Sequence, residues 1–78
     1  MIVQIQPALG VAVRTRRKEL GLRQSDLAEL AGCSERFLHD LEHDKPRLAF
    51  DKILDVLEVL GLTLQVVPRG TLPVARGD

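Results

Sequence analysis

This chain of 78 residues contains one cysteine, two phenylalanines and neither tryptophan nor tyrosine. With Cys33 alone, neither a disulfide nor a cysteine-based structural zinc is available within one chain, so stability has to come from helix packing or from a second subunit. No apolar run approaches the length of a membrane span. The N-terminal MIVQIQ has no charged n-region, and Gln4 and Gln6 break its apolar run, which argues against a signal peptide. A soluble protein of a reducing cytoplasm is expected, with Cys33 as a plain thiol. Net charge is missing too, since 11 basic residues balance 11 acidic ones. That balance argues against a nucleic-acid binder working through total charge. What is present is local: RTRRK at residues 14–18, and the trio Arg36, Lys45 and Arg47, which would confine any nucleic-acid contact to one face. At 45% hydrophobic residues, the chain can build one small core and a single domain.

Glycines and prolines punctuate the remainder. Pro7 suits the first position of a helix, where its missing N–H costs nothing, and Gly21 suits the left-handed residue after the end. A first helix is therefore predicted from Pro7 to Leu20, with Leu9, Val13 and Leu20 in helical spacing and with Gly10 and Val11 blurring the pattern. A second runs from Gln24 and ends at Gly32, carrying Leu27, Ala28 and Ala31 on one side, and is too short to hold alone. Ser34 supplies an N-cap oxygen for a third helix through His43, with Phe37, Leu38 and Leu41 inward. Pro46 then forces Lys45 out of helical geometry. The fourth spans Phe50 to Leu60, with Phe50, Ile53, Leu54, Leu57 and Leu60 in period and Gly61 closing it. LTLQVV, residues 62–67, alternates as a strand, with Leu62, Leu64 and Val66 on one face. A lone strand needs a partner, either its symmetry mate or the VQIQ segment of one of the subunits. The tail, residues 68–78, is expected to be mobile and has no aromatic anchors of the kind that mark binding hot spots.

The stretch SERFLHDLEHDKPR, residues 34–47, poses the functional question: an active site with two histidines, or a helix that reads something. His39 and His43 have the spacing that lets two imidazoles meet one metal. A zinc site needs further ligands, however, and the metalloprotease pattern needs glutamate after the first histidine, where Asp40 stands. Base contact, phosphate contact or plain exposure is the better expectation. Cys33 sits at an inter-helix turn and packs as a small hydrophobe. There is no glycine-rich phosphate loop and no kinase signature. No catalytic residue, metal or cofactor is expected, and the protein is not read as an enzyme.

Residues 24–42 fit a specific steric recipe. Two helices crossing steeply across a tight turn need a small residue where they touch, a residue free to take positive φ in the turn, and apolar anchors on the second helix. Ala28, Gly32, and the pair Leu38 and Leu41 supply them. The run GLRQSDLAELAGCSERFLHDLE resembles the helix-turn-helix of the Cro and phage-repressor type, the XRE family, with Gln24, Ala28, Gly32, Leu38 and Leu41 at matching positions. Over nearly the whole chain, RRKELGL, LAELAG, RFLHDLEHDKP and DVLEVLGLTLQVVPR are similar to HipB-like antitoxins. Those are small DNA-binding partners of HipA-like serine/threonine kinase toxins that repress their own operon.

The resemblance implies roles. Arg17 would pair with Glu42, at the end of the third helix, and fix the first helix against the third. The first two turns of the recognition helix would face base edges in the major groove, which places Ser34, Glu35, Arg36, His39 and Asp40 there. Arg36 is the leading base reader, since a guanidinium can bond O6 and N7 of one guanine. Glu35 could accept from cytosine N4, and Asp40, one turn after Arg36, either reads a base or orients that guanidinium. Gln24 would anchor the DNA backbone with Arg23 beside it, and His43, Lys45 and Arg47 would grip phosphates beyond the third helix. Two positions depart from the family pattern. Arg23 stands where a Ser or Thr cap is usual, which predicts a less rigid helix start. Asp44 stands where Gly is common, adding a negative charge and a harder left-handed backbone.

The fold expected is mainly α, a lambda-repressor-like bundle of four to five helices. Residues 1–67 would form the DNA-binding domain, with the C-terminal strand in an intersubunit sheet. The function expected is that of a homodimeric repressor of double-stranded operator DNA. It would act as antitoxin to a HipA-like kinase, lie in the cytoplasm without membrane association, and join the nucleoid when bound to its operator. A stand-alone regulator without a toxin, and a protein-interaction module without salt-dependent DNA affinity, are the alternatives.

Overall fold

The computed structural model describes residues 9–66 and residue 68. Among these residues four helices follow one another: α1 (Leu9–Glu19), α2 (Gln24–Ala31), α3 (Glu35–Glu42) and α4 (Phe50–Leu60). Pro7, the predicted first residue of α1, lies outside the described residues. Both α1 and α4 end where glycine predicts. The N–H groups of Leu22 and Leu62 reach back to the carbonyls of Arg17 at 3.1 Å and Leu57 at 2.9 Å, satisfying last-turn acceptors that a helix leaves unpaired.

The core draws on every helix: Val13 of α1, Leu27 and Ala28 of α2, Leu38 and Leu41 of α3, and Val56, Leu57 and Leu60 of α4. Burying each large aliphatic stabilises by roughly 1.5–3 kcal/mol. The helices α2 and α3 have 8 residues each, too few to persist in isolation, and they exist because this shared core holds them.

Expectations about inward faces are corrected on three elements. Phe50 and Leu54 are 60% and 41% exposed, and Val56 is fully buried in their place. The apolar residues of α4 cover more than one stripe, and the fold buries only the stripe through Val56, Leu57 and Leu60 that meets α1 and α2. Leu20 is likewise 43% exposed, because it falls in the turn after α1 where the helical period no longer applies. Phe37 is half-buried, not fully inward.

The predicted strand falls partly on described residues. Leu62 packs against the core, whereas Leu64 is 44% and Val66 98% exposed. Among the described residues no strand is formed. Val67, the VQIQ segment and residues 69–78 lie outside the described residues.

Candidate nucleic-acid interface

The interface is built around α2, its turn and α3. Gly32 takes left-handed backbone at φ 73, a conformation that costs an L-residue with a Cβ roughly 1–2 kcal/mol. It lets the chain reverse within the few residues before Ser34. The Ser34 hydroxyl then accepts from the Phe37 N–H at 3.0 Å, capping α3. With Leu38 and Leu41 buried beneath, the opposite edge of α3 faces solvent. Ser34, Glu35, Arg36 and His39 are exposed there, and Asp40 is half-buried.

Behind that edge lies a buried ion pair. Arg17 donates from Nε to Glu42 Oε2 at 2.7 Å and from Nη2 to Oε1 at 3.1 Å, and its Nη1 donates to the Leu22 carbonyl at 2.9 Å. The two residues are only 8% and 7% exposed. Burial by itself would raise the Glu42 carboxyl, but the hydrogen bonds from Arg17 and Gln24 outweigh it and hold the group below the ordinary glutamate range. The Gln24 amide donates to Glu42 Oε1 at 3.1 Å, so the side chain expected on the DNA backbone commits one N–H inward.

A second tie joins the same two helices. Gly10 is buried, and a Cβ built on it would stand 2.5 Å from the Glu42 carbonyl oxygen. Helix α1 therefore meets the end of α3 backbone to backbone. Asp44 adopts φ 55, and its Oδ1 accepts from the Gly10 N–H at 2.9 Å. The negative charge that departs from the family pattern thus serves α1, accepting from a first-turn N–H that has no acceptor within its own helix.

Cations flank the solvent edge of α3. Arg23 does not leave the start of α2 loose, as its lack of an acceptor suggested. Asp26 accepts the Arg23 backbone N–H at 2.9 Å and its Nε and Nη2 at 3.1 Å each, so the tie comes from within the helix. Those side-chain and backbone hydrogen bonds lower the Asp26 carboxyl. His43, Lys45 and Arg47 are all exposed beyond α3. His43 Nδ1 lies 2.8 Å from the His39 carbonyl, which can only accept, so that nitrogen carries the proton. The two imidazole centroids are 4.2 Å apart. Among the described residues no group of three or more His, Cys, Asp or Glu could hold a metal. Cys33 is half-buried, and desolvation pushes its thiol up, with Lys52 opposing and Asp55 reinforcing.

The family follows from comparison with known proteins. The helix-turn-helix domain family matches residues 8–69. The chain belongs to that family. It is 44% identical over 62 residues, 80% of this chain and 82% of the relative, to y4mF, an uncharacterized HTH-type transcriptional regulator of Sinorhizobium fredii. The HipB chain of a HipB–O2 20mer complex superposes with a TM-score of 0.71 at 18% identity, covering 88% of this chain and 99% of that one. A structure described as MDT Protein gives 0.70, again at 18% identity, over 87% and 99%. This is a helix-turn-helix protein of the transcriptional-regulator type with the fold of HipB. Among the described residues no helix is long and apolar enough to cross a membrane.

Within this helix-turn-helix fold, Arg36 and Asp40 come together on one edge, and Arg17, Gln24 and Glu42 behind it. Arg23 pairs away with Asp26. Sequence reasoning passed over Gly10, Asp26 and the Leu22 carbonyl. A glycine inside a helical pattern signals close approach, and an acidic residue at the third helical position signals a reciprocal cap, so two of the three had a signal. The Leu22 carbonyl had none.

Proposed function

We propose that this helix-turn-helix protein is a dimeric repressor that reads palindromic double-stranded operator DNA with the solvent edge of α3. We further propose that it serves as the antitoxin of a HipA-like kinase and represses its own operon. The observation that carries the DNA reading is the exposed edge Ser34, Glu35, Arg36 and His39 on a helix held by the buried Arg17–Glu42 pair. A helix rigidly mounted with one polar edge outward is what major-groove readout needs. Arg36 reads a guanine, and Gln24, Arg23, His43, Lys45 and Arg47 meet phosphates. The segment carrying Leu62, Leu64 and Val66 pairs with a second copy, setting the two recognition helices about 34 Å apart, one turn of DNA. Likeness to the HipB fold supports the antitoxin reading. The second reading, a regulator without a toxin, is favoured by y4mF, described only as a transcriptional regulator.

The test is recovery of the tagged protein from its host, with bound protein identified by mass spectrometry and bound DNA by sequencing. A kinase together with the protein's own promoter is the expected result. Promoter DNA without a protein partner would establish the regulator alone, and a protein without DNA would overturn the DNA reading.

A further inference from the structure

On the solvent edge of α3, Asp40 sits between two cations. Its Oδ2 lies 3.4 Å from Arg36 Nε and its Oδ1 lies 3.8 Å from Lys45 Nζ. The three differ in freedom: the Arg36 and Lys45 side chains are 80% and 55% exposed, that of Asp40 only 19%. Oδ1 is closed off from solvent and makes no hydrogen bond, so the two cations are the groups that balance the charge of this carboxylate. Asp40 also receives the Lys45 backbone N–H on its carbonyl at 3.0 Å, which brings the loop after α3 to the same point. Asp40 approaches the guanidinium from the Nε side. Among the described residues, Nη1 and Nη2 of Arg36 make no hydrogen bond.

We propose that Asp40 is the specificity-positioning residue of the recognition helix, holding Arg36 by its Nε edge so that the Nη pair meets a guanine while phosphate capture by Arg36 is disfavoured. The inference rests on the DNA-reading function proposed above. Its physics is differential. A guanine presents O6 and N7 as a planar pair that the two Nη groups can meet end-on, with the ion pair to Asp40 retained. A phosphate approaching the Nε side of Arg36 has to displace the carboxylate. Exposed ion pairs of this length are individually weak. Asp40 therefore tilts the choice of partner without locking either cation away. Non-specific binding runs through phosphates alone, so the penalty falls on wrong sequences more than on the right one.

The test is Asp40→Asn, isosteric and uncharged, compared with wild type on a promoter duplex and on a scrambled duplex of equal composition across a salt series. The ratio of promoter to scrambled affinity should fall about tenfold, within the range one bidentate base contact discriminates. The scrambled duplex should be bound at least as tightly as before, with a salt dependence steeper by roughly one to two phosphate equivalents. Asp40→Glu should keep part of the ratio, and in an Arg36→Ala background Asp40→Asn should leave the ratio unchanged. A merely structural role would lower both affinities together and shift the melting temperature, and that result, or an unchanged ratio, would overturn the inference. Absence of salt-dependent binding by the wild type itself would remove the DNA-reading function and this inference with it, which separates the two failures.

Discussion

Arg17 and Glu42 show how one side-chain pair governs the mounting of a helix. Both are buried and bonded through two nitrogens and two oxygens, so Arg17→Met strands a buried carboxylate and should cost about 3–5 kcal/mol. The double variant Arg17→Met/Glu42→Leu should recover most of that loss, and additive losses in denaturant melts would contradict the coupling. Acid provides a separate check. The folded Glu42 carboxyl lies below its ordinary range, so its stabilisation is complete above the unfolded value, about 4.3, and is lost as pH falls through the folded one. In Arg17→Met burial counts for more, and the gap to wild type should narrow on acidification. Gly10 makes the complementary case. Alanine is favoured over glycine in a helix by about 1 kcal/mol, but here the added Cβ would press on the Glu42 and Leu41 carbonyls. Gly10→Ala should therefore destabilise by roughly 1–3 kcal/mol, and a rise in melting temperature would show that α1 does not pack this closely.

At the scale of the element, short helices depend on their ends. For α3, with 8 residues, Ser34→Ala removes the hydroxyl that accepts from Phe37 and should cost about 1 kcal/mol. For α1 the equivalent group arrives from far along the chain, in Asp44. Asp44→Ala loses the acceptor and keeps a Cβ at φ 55; Asp44→Gly loses the acceptor but relieves the backbone. The alanine variant should be the less stable by about 1 kcal/mol, and equal thermal melts would refute the balance. Element existence was legible because period and punctuation are local: the glycines at 21, 32 and 61 end helices wherever those helices go. The buried stripe of α4 was not legible. Phe50 and Leu54 fit the helical period as well as Val56 does, and only contact with α1 and α2 chooses between them.

For the whole molecule, one chain leaves apolar surface uncovered. Phe50, Leu54, Leu64 and Val66 are all among its exposed large hydrophobics, and a small domain lacking disulfides gains stability by burying such groups in a second copy. Leu64→Asp should shift the protein towards monomer in sedimentation and lower the affinity for a two-half-site operator. It should leave the affinity for a single half-site within about threefold, since α3 is untouched. An unchanged mass would remove residues 62–66 from the proposed dimer interface.

Taken by itself, the sequence determined the four helices, the glycine ends of α1, α2 and α4, the Ser34 cap and the helix-turn-helix family, because each depends on residues within a turn or two of one another or on a motif of fixed spacing. Tertiary structure alone decided what crosses between distant segments: the close approach of Gly10 to Glu42, the turning of Asp44 towards α1, and the choice of Val56 over Leu54. Those contacts join residues up to 34 positions apart. A local pattern can at most signal that a close approach exists, as Gly10 does, and the partner is fixed only once the shared core has set α1 against α3 and α4.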